Sequence, residues 1–428
     1  MRWSYRRGIG RSGNRESRGS PEAGRNLRDL ARTEKAIAEG AKAKKMRSEH
    51  RQGSCLFPAI ESGFESARTR IHNQSLIVST SSMKALLLSS YRHLEVTDLP
   101  TPEVAADEVL VRVAACGICG SDVHGYDGSS GRRIPPLVMG HEAAGVVEAV
   151  GSAVRSFAQG ERVTFDSTVY CGECANCKRG DVNLCDRREV LGVSCGDYRR
   201  AGAFAEFVAV PARTCYRLPE NLEFAEAAML EAVSVAIHAV KLGQAAANDT
   251  TLVIGAGTIG ILTLQTLRAA GSKRVFVTDV DQQRMTLAKQ LGAAEVLLSD
   301  STLQESILQL TNGEGVDVSL EAVGRNETVA AAIDATRKGG TVVLIGNITP
   351  QVTIHLQKIV SRQIRLQGSC ASAGEYPQAI KWMASGAIDV KPLISAVAPL
   401  EEGAQWFERL YAREPNLLKV VLRPGPQS

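Results

Sequence analysis

The sequence predicts a two-domain α/β protein in which a doubly wound parallel sheet is joined to an all-β domain. Three observations carry this. Short β-prone segments, punctuated by Gly, Pro and acidic residues, fill residues 83–235. Apolar strands alternate with helical segments over 236–370. At 428 residues with 44% hydrophobic side chains, the chain is long enough for two cores. The remainder, 371–428, reads as a segment that returns to complete the first domain.

Residues 1–82 are rich in Arg, Ser and Gly, with one candidate helix around Leu27 to Met46 and no sustained apolar periodicity. A largely disordered basic extension is expected there. Glu16, Glu22, Asp29, Glu34 and Glu39 argue against an organelle transit peptide. Met83 is a candidate true start, while a tail with a role of its own and a targeting segment stay open. The extension holds 17 Lys and Arg against 8 Asp and Glu, and the rest of the chain 33 against 38. The body is therefore mildly acidic, which removes the main support for nucleic-acid binding. No run approaches the ~18 apolar residues of a membrane span, and no secretory pattern opens the chain. A cytoplasmic protein with no membrane partner is expected.

From Met83 the segments MKALLL, LEVTDLP and DEVLVRVAACG read as strands, followed by AAGVVEAVG, ERVTF and AEFVAVP. Their close turn spacing suits a folded-over barrel. The rhythm then changes to TLVIGAG, a helix from Ile259 to Ala270, RVFVTD, a helix from Gln282 to Leu291, and AEVLLS. VDVSLEAVG and GTVVLIGN continue it, and right-handed crossovers make the sheet parallel. An amphipathic helix near Tyr376 to Ser385 and a closing strand in LLKVVLRP end the chain.

Gly255, Gly257 and Gly260 form G-x-G-x-x-G between the strand Thr251 to Ile254 and a helix, with Thr258 and Ile259 inside the motif. Such glycines allow a tight turn and a close backbone approach to a pyrophosphate at a helix N-terminus. The pattern alone is weak, but the next strand ends at Asp279, 19 positions after Gly260, where a carboxylate can accept both ribose hydroxyls. The reading is a Rossmann domain that takes NAD rather than NADP, with Arg284 a candidate to cover the adenine. A Gly-rich turn in a purely structural α/β domain is the competing reading. Val323, Gly324, Ile345 and Gly346 fall at the carboxyl ends of later strands and are second-rank cofactor contacts.

Seven of the ten cysteines lie between Cys116 and Cys195, which in an intracellular chain points to metal before disulfide. Cys171, Cys174, Cys177 and Cys185 give Cys-x2-Cys-x2-Cys-x7-Cys in a loop without helical or strand period. Four thiolates at this spacing close a tetrahedral structural zinc site. Cys119, His141 and Glu142 are separated by loops, and a His beside a Glu is as readily a satisfied polar pair.

Residues 116–124 read CGICGSDVH and 140–142 read GHE. With the Cys-rich loop and the Gly-rich turn in order, the chain from Met83 to about Pro424 resembles the medium-chain zinc dehydrogenases. It is most similar to the polyol types, sorbitol and galactitol-phosphate dehydrogenases, and more distantly to threonine dehydrogenase. The resemblance implies a GroES-like all-β catalytic domain, two zinc ions per subunit, NAD, a small alcohol substrate and a dimer or tetramer. It further implies Cys119 and His141 as direct ligands of a catalytic zinc, with Glu142 and Glu231 held less firmly. Ala232 stands where those enzymes usually have Pro. Cys116 is not expected to be a ligand. A zinc-polarised hydroxyl loses its proton more readily, and Ser121 would pass that proton toward His124. Ser121 and His124 merely capping a turn is the alternative.

Sorbitol dehydrogenases carry an Arg-Tyr pair after the last strand of the cofactor sheet, where this chain has Gly368, Ser369, Cys370, Ala371 and Ser372. Arg132 with Arg133, and Arg199 with Arg200, could hold a substrate phosphate if they face the cleft, or could be solvated surface arginines. A threonine or 2,3-butanediol type of activity stays open. So does a protein of another class, one that senses through NAD and zinc without turnover. A zinc-free quinone reductase relative would lack both the Cys-rich loop and GHE.

Overall fold

The computed structural model describes residues 81–194 and 199–425. The candidate helix at Leu27 to Met46, nearly all of the basic extension, and Cys195 lie outside the described residues.

Two sheets organise the described chain. The first runs in the order Cys215–Arg217, Arg162–Phe165, Glu142–Val150, Glu108–Gly117, Lys419–Arg423, Ile394–Pro399, with Phe207–Pro211 also pairing on Glu108–Gly117. These strands, with runs of consecutive buried residues, pack on a core holding Leu86, Met139, Phe165, Phe204 and Phe407. The two C-terminal strands pair in parallel, and Lys419–Arg423 lies antiparallel to Glu108–Gly117. Register is what matters here. Gly117 sits opposite Glu142 on one side and Val421 on the other. Residues within two positions of this point on three strands therefore meet at one sheet end.

The second sheet is wholly parallel, ordered Glu295–Leu298, Arg274–Asp279, Thr250–Ile254, Val316–Glu321, Thr336–Leu344, Arg365–Gly368. The chain moves outward from Thr250–Ile254 in one direction and then returns to Val316–Glu321 on its other side. That reversal leaves a crevice at the carboxyl ends of these two strands. All five residues of Thr250–Ile254 are buried, as expected for a central strand covered on both faces.

Helix Leu230–Gly243 is almost wholly apolar on its inner side and packs with helices Thr258–Ala269 and Tyr376–Ala384 in the core of this second sheet. The expected boundary at residue 235 thus falls inside a helix. Tyr216 of the first sheet stacks on Tyr376 with centroids 4.9 Å apart and planes 5° from parallel. Such a contact is worth about 0.5–1.5 kcal/mol beyond its buried area and joins the two halves. Among the described residues no helix is long and apolar enough to cross a membrane.

Candidate active site and metal centres

The strand Glu108–Gly117 runs out of its sheet at Ile118, and Cys119 then caps helix Gly120–Tyr126. Glu142 opens the neighbouring strand, with His141 just before it. The Sγ of Cys119, a ring nitrogen of His141 and a carboxylate oxygen of Glu142 all lie within 4.8 Å of one another. A thiol, an imidazole and a carboxylate at this separation fit a zinc ion with an open position. The sheet makes room for the carboxylate: a Cβ on Gly117 would come within 2.4 Å of Glu142 Oε2. Glu231, in the first turn of helix Leu230–Gly243, is not within 4.8 Å of all three donors. Its charge is nevertheless felt there. Burial pushes the Glu231 carboxyl up to about 7; His141 and Lys419 work against that rise, while Glu142 and Asp166 add to it.

Two residues not singled out from the sequence, Lys419 and Asp122, complete this centre. Lys419 is 3% exposed and its Nζ lies 2.8 and 2.6 Å from the two oxygens of Glu142, with a third donor on the main-chain oxygen of Ile118 at 3.1 Å. Burial disfavours its charge, but the Glu142 carboxylate outweighs it and holds the ammonium above its ordinary pKa. Asp122 is wholly buried and takes Arg133 Nη2 at 2.9 Å and Nε at 3.2 Å. His141 Nδ1 lies 3.3 Å from the same oxygen. Burial would raise the Asp122 carboxyl, yet His141 and Arg133 overcome it and hold it well below the carboxylate range. An aspartate on one ring nitrogen leaves the other for the metal and fixes the ring's orientation. Asp122 was in plain view inside CGICGSDVH; for Lys419 the sole signal was a charge inside an apolar closing strand.

Ser121 and His124 share a face of helix Gly120–Tyr126, three residues apart. Arg133 Nη2 donates to Ser121 Oγ at 3.1 Å. His124 is half-buried, and burial together with Arg413 and Arg325 lowers its pKa against the opposing pull of Asp127. Neither side chain caps the helix, since Cys119 occupies that position. Arg325 follows directly on the strand-end residues Val323 and Gly324, so the cofactor sheet presents its carboxyl edge to this helix.

The arginine pairs divide: Arg132 and Arg199 are exposed, as the surface reading has it, while Arg133 and Arg200 are paired with carboxylates. Arg133 is 3% exposed and neutralised by Asp122, so it is neither a surface residue nor a free phosphate binder. Arg200 is tied to Glu108 and to Glu189, the latter at 2.8 Å. Arg132 and Arg199 are exposed, and Arg199 donates to the main-chain oxygen of Pro136.

In the Cys-rich loop the sulfurs of Cys171 and Cys177 are 4.0 Å apart, Cys174 and Cys177 3.5 Å, and Cys174 and Cys185 3.9 Å. Zinc–sulfur bonds of ~2.3 Å give a tetrahedral edge of roughly 3.8 Å. Main-chain N–H groups of Glu173 and Cys174 point at Cys171 Sγ and pull that thiol down to about 6, toward the thiolate a metal needs.

At the crevice of the parallel sheet, Gly255 adopts φ +94°, and a Cβ on Gly260 would sit 1.7 Å from Gly255 oxygen, so helix Thr258–Ala269 can start there only with glycine. Among the described residues nothing lies within 4 Å of a Cβ on Gly257, which leaves space at the helix N-terminus for a pyrophosphate. Thr258 and Ile259 form the first turn of that helix, and Thr258 Oγ1 reaches the main-chain oxygen of Leu418. Asp279 ends its strand at 8% exposure; its oxygens accept the N–H of Ala256 at 2.6 Å and of Asp281 at 2.9 Å. Each oxygen keeps a lone pair for a ribose hydroxyl. Arg284 is half-exposed and leans 3.6 Å from Asp281. The missed residue is Glu321, which is fully buried. Its carboxylate takes the N–H groups of Val323 and Gly324, and its main-chain oxygen those of Ile345 and Gly346. Both strand-end turns are thus clasped by one residue.

Residues 105–220 match the family described as the alcohol dehydrogenase GroES-like domain, and residues 258–385 the family described as zinc-binding dehydrogenase. The chain is 33% identical to a sorbitol dehydrogenase of Bacillus subtilis over 80% of its length and 98% of that protein. Among solved structures it is similar to a zinc-binding dehydrogenase of Sinorhizobium meliloti bound to NADP, at 33% identity and TM-score 0.73, over 80% of this chain and all of that one. It is likewise similar to an alcohol dehydrogenase of Escherichia coli in complex with NADH, at 32% identity and TM-score 0.74, over 80% and 99%.

Proposed function

Because the chain belongs to the zinc-dependent medium-chain alcohol dehydrogenase family, we propose that its substrate is a polyol, oxidised at a secondary hydroxyl with transfer of hydride to NAD. The observation that carries this reading is the convergence of Cys119, His141 and Glu142 within 4.8 Å beside the helix that holds Ser121 and His124. Zinc, when bound, supplies a Lewis acid that makes a hydroxyl easier to deprotonate, and a bound nicotinamide accepts hydride.

The chain's own residues do the rest. Asp122 holds the His141 ring in place. The Arg133 guanidinium can only donate, so it fills one lone pair of Ser121 Oγ, whose second lone pair is free to take the substrate proton while its own proton moves on. His124, kept neutral by burial and by Arg413 and Arg325, is suited to receive it. Asp279, with a carboxylate where a 2'-phosphate would have to sit, supports NAD over NADP.

Neutralisation of Arg133 and Arg200 by carboxylates supports an unphosphorylated polyol over a phosphate ester. The division of the chain into two domains and a returning C-terminal segment is part of the same reading, with the first boundary moved to the start of helix Leu230–Gly243. A homo-oligomer, dimer or tetramer, is supported by Ile348, Val352, Ile354, Leu356 and Val360, which are exposed just before the edge strand Arg365–Gly368. A cytoplasmic location completes the reading.

The test is NADH production by purified protein against sorbitol, xylitol, galactitol, galactitol 1-phosphate, threonine and butanediol, before and after chelation. A strong rate on one free polyol, abolished by chelation, is expected. A preference for the phosphate ester would move the arginines back into consideration. No turnover with NAD and zinc still bound would favour a non-catalytic sensor.

A further inference from the structure

One buried amide ties the Cys-rich lobe to a distant turn. Asn183 lies in the single helical turn Val182–Leu184 that leads into Cys185, and it is 4% exposed. Its Nδ2 donates to the main-chain oxygen of Cys370 at 2.7 Å and lies 3.4 Å from His238 Nε2. An amide nitrogen carries two N–H groups and can serve both, provided Nε2 is the bare nitrogen of the ring. The far side of the ring sets that tautomer. Nδ1 faces Glu375 Oε1 at 3.3 Å, and a carboxylate only accepts. Glu375 is itself 3% exposed, takes Lys241 Nζ at 3.1 Å on the same oxygen, and takes the N–H of Ala373 on the other.

Cys370, Ala373 and Glu375 all belong to the turn 369–375, between edge strand Arg365–Gly368 and helix Tyr376–Ala384. The turn is therefore held at its start by Asn183 and at its end by Glu375. It also borders the metal centre. His238 sits on the helix that carries Glu231 two turns earlier, and Tyr376, the residue after the turn, feels the charges of Asp166, Glu231 and Glu142.

Asn183 shares a single helical turn with the C-cap Cys185, so a metal on four thiolates that fixes Cys185 restricts where Asn183 can sit. We propose that Asn183 is a positioning residue that makes substrate fit depend on the Cys171, Cys174, Cys177 and Cys185 lobe. With the lobe's zinc in place the 369–375 turn is fixed against helix Leu230–Gly243, and without it the turn is released. The word substrate rests on the dehydrogenase reading above; the coupling between lobe and turn does not.

The experiment is hydrogen–deuterium exchange on the zinc-loaded full chain, with metal content and steady-state kinetics measured on the same samples. Asn183→Asp keeps the shape of the side chain and removes both N–H donors, and Asn183→Ala removes the side chain. Both should speed exchange in the peptide spanning 369–376 by about two- to tenfold, the range expected for one net hydrogen bond, with both zinc ions retained. KM for the polyol should rise by a similar factor while kcat holds. Unchanged exchange in Asn183→Asp protein that keeps both zinc ions overturns the proposal, whatever KM does. So does unchanged exchange after selective loss of the lobe zinc from the unmodified chain, which decides the matter even if both variants fold poorly. If no alcohol is turned over, the exchange result still stands by itself, so failure of the coupling and failure of the dehydrogenase reading are read separately.

Discussion

Replacing Lys419 by Met tests how the proposed catalytic centre tolerates its own charge. The substitution keeps the length of the side chain but takes away three donors, two on Glu142 at 2.8 and 2.6 Å and one on the main-chain oxygen of Ile118 at 3.1 Å. Both charges of the pair are almost fully removed from water, with side-chain exposures of 3% and 1%. Breaking such a pair from one side leaves a buried carboxylate without a counter-charge and costs about 3–5 kcal/mol, a large part of a total stability of about 5–15 kcal/mol. The metal-stripped Lys419→Met protein should lose this much in urea unfolding. Zinc-loaded protein should lose less, because a bound cation compensates Glu142 from the other side. Adding Glu142→Gln should recover most of the loss in the metal-stripped form, since neither charge then remains. The reasoning fails if metal-stripped Lys419→Met unfolds within about 0.5 kcal/mol of the unmodified protein. It fails equally if the double variant is no more stable than Lys419→Met alone.

Acid stability should carry a signature of Glu375. Burial raises its carboxyl, but the hydrogen bonds from His238, Ala373 and Lys241 win and pull it from its ordinary 4.5 to about 2. A depressed carboxyl stabilises the fold above its unfolded value and loses that contribution as pH falls through the folded one, so about 3 kcal/mol should disappear between pH 4.5 and 2. Urea titrations across that window should show a shallower slope for Glu375→Gln. Asp279→Ser removes the carboxylate that accepts the Ala256 and Asp281 N–H groups and, on the proposed reading, the ribose hydroxyls. KM for NAD should rise about 10- to 100-fold and the preference over NADP shrink, as steady-state rates with each cofactor will tell.

The parts of the site that the sequence made legible are those that lie close together along it. The four-cysteine spacing fits in fifteen residues, and the Gly-rich turn with Asp279 reports a strand, a helix and a second strand at fixed offsets. Cys119 and His141 needed a family resemblance, because a loop separates them and register alone brings them together. What stayed illegible depends on pairing across the fold. Lys419 reaches Glu142 over 277 positions, and it does so because a C-terminal strand pairs beside Gly117. Arg133 looked like surface in a loop sequence, yet it fills the space beside Gly125 and neutralises Asp122. The expected boundary at residue 235 falls inside a helix for a related reason. Helix Leu230–Gly243 continues without a break signal from the catalytic segment into the core of the parallel sheet.

The strand Lys419–Arg423 also sets the order of events during biosynthesis. Cys119, His141 and Glu142 have all left the ribosome long before Lys419 is made, and at about 5–20 residues per second the interval for the intervening 277 residues is about 15–55 s. Throughout that time the nascent chain holds three metal donors but not the lysine that neutralises Glu142. Zinc supplied early would thus compensate Glu142 before its lysine is translated, and the ion would act as a scaffold before it acts in any reaction.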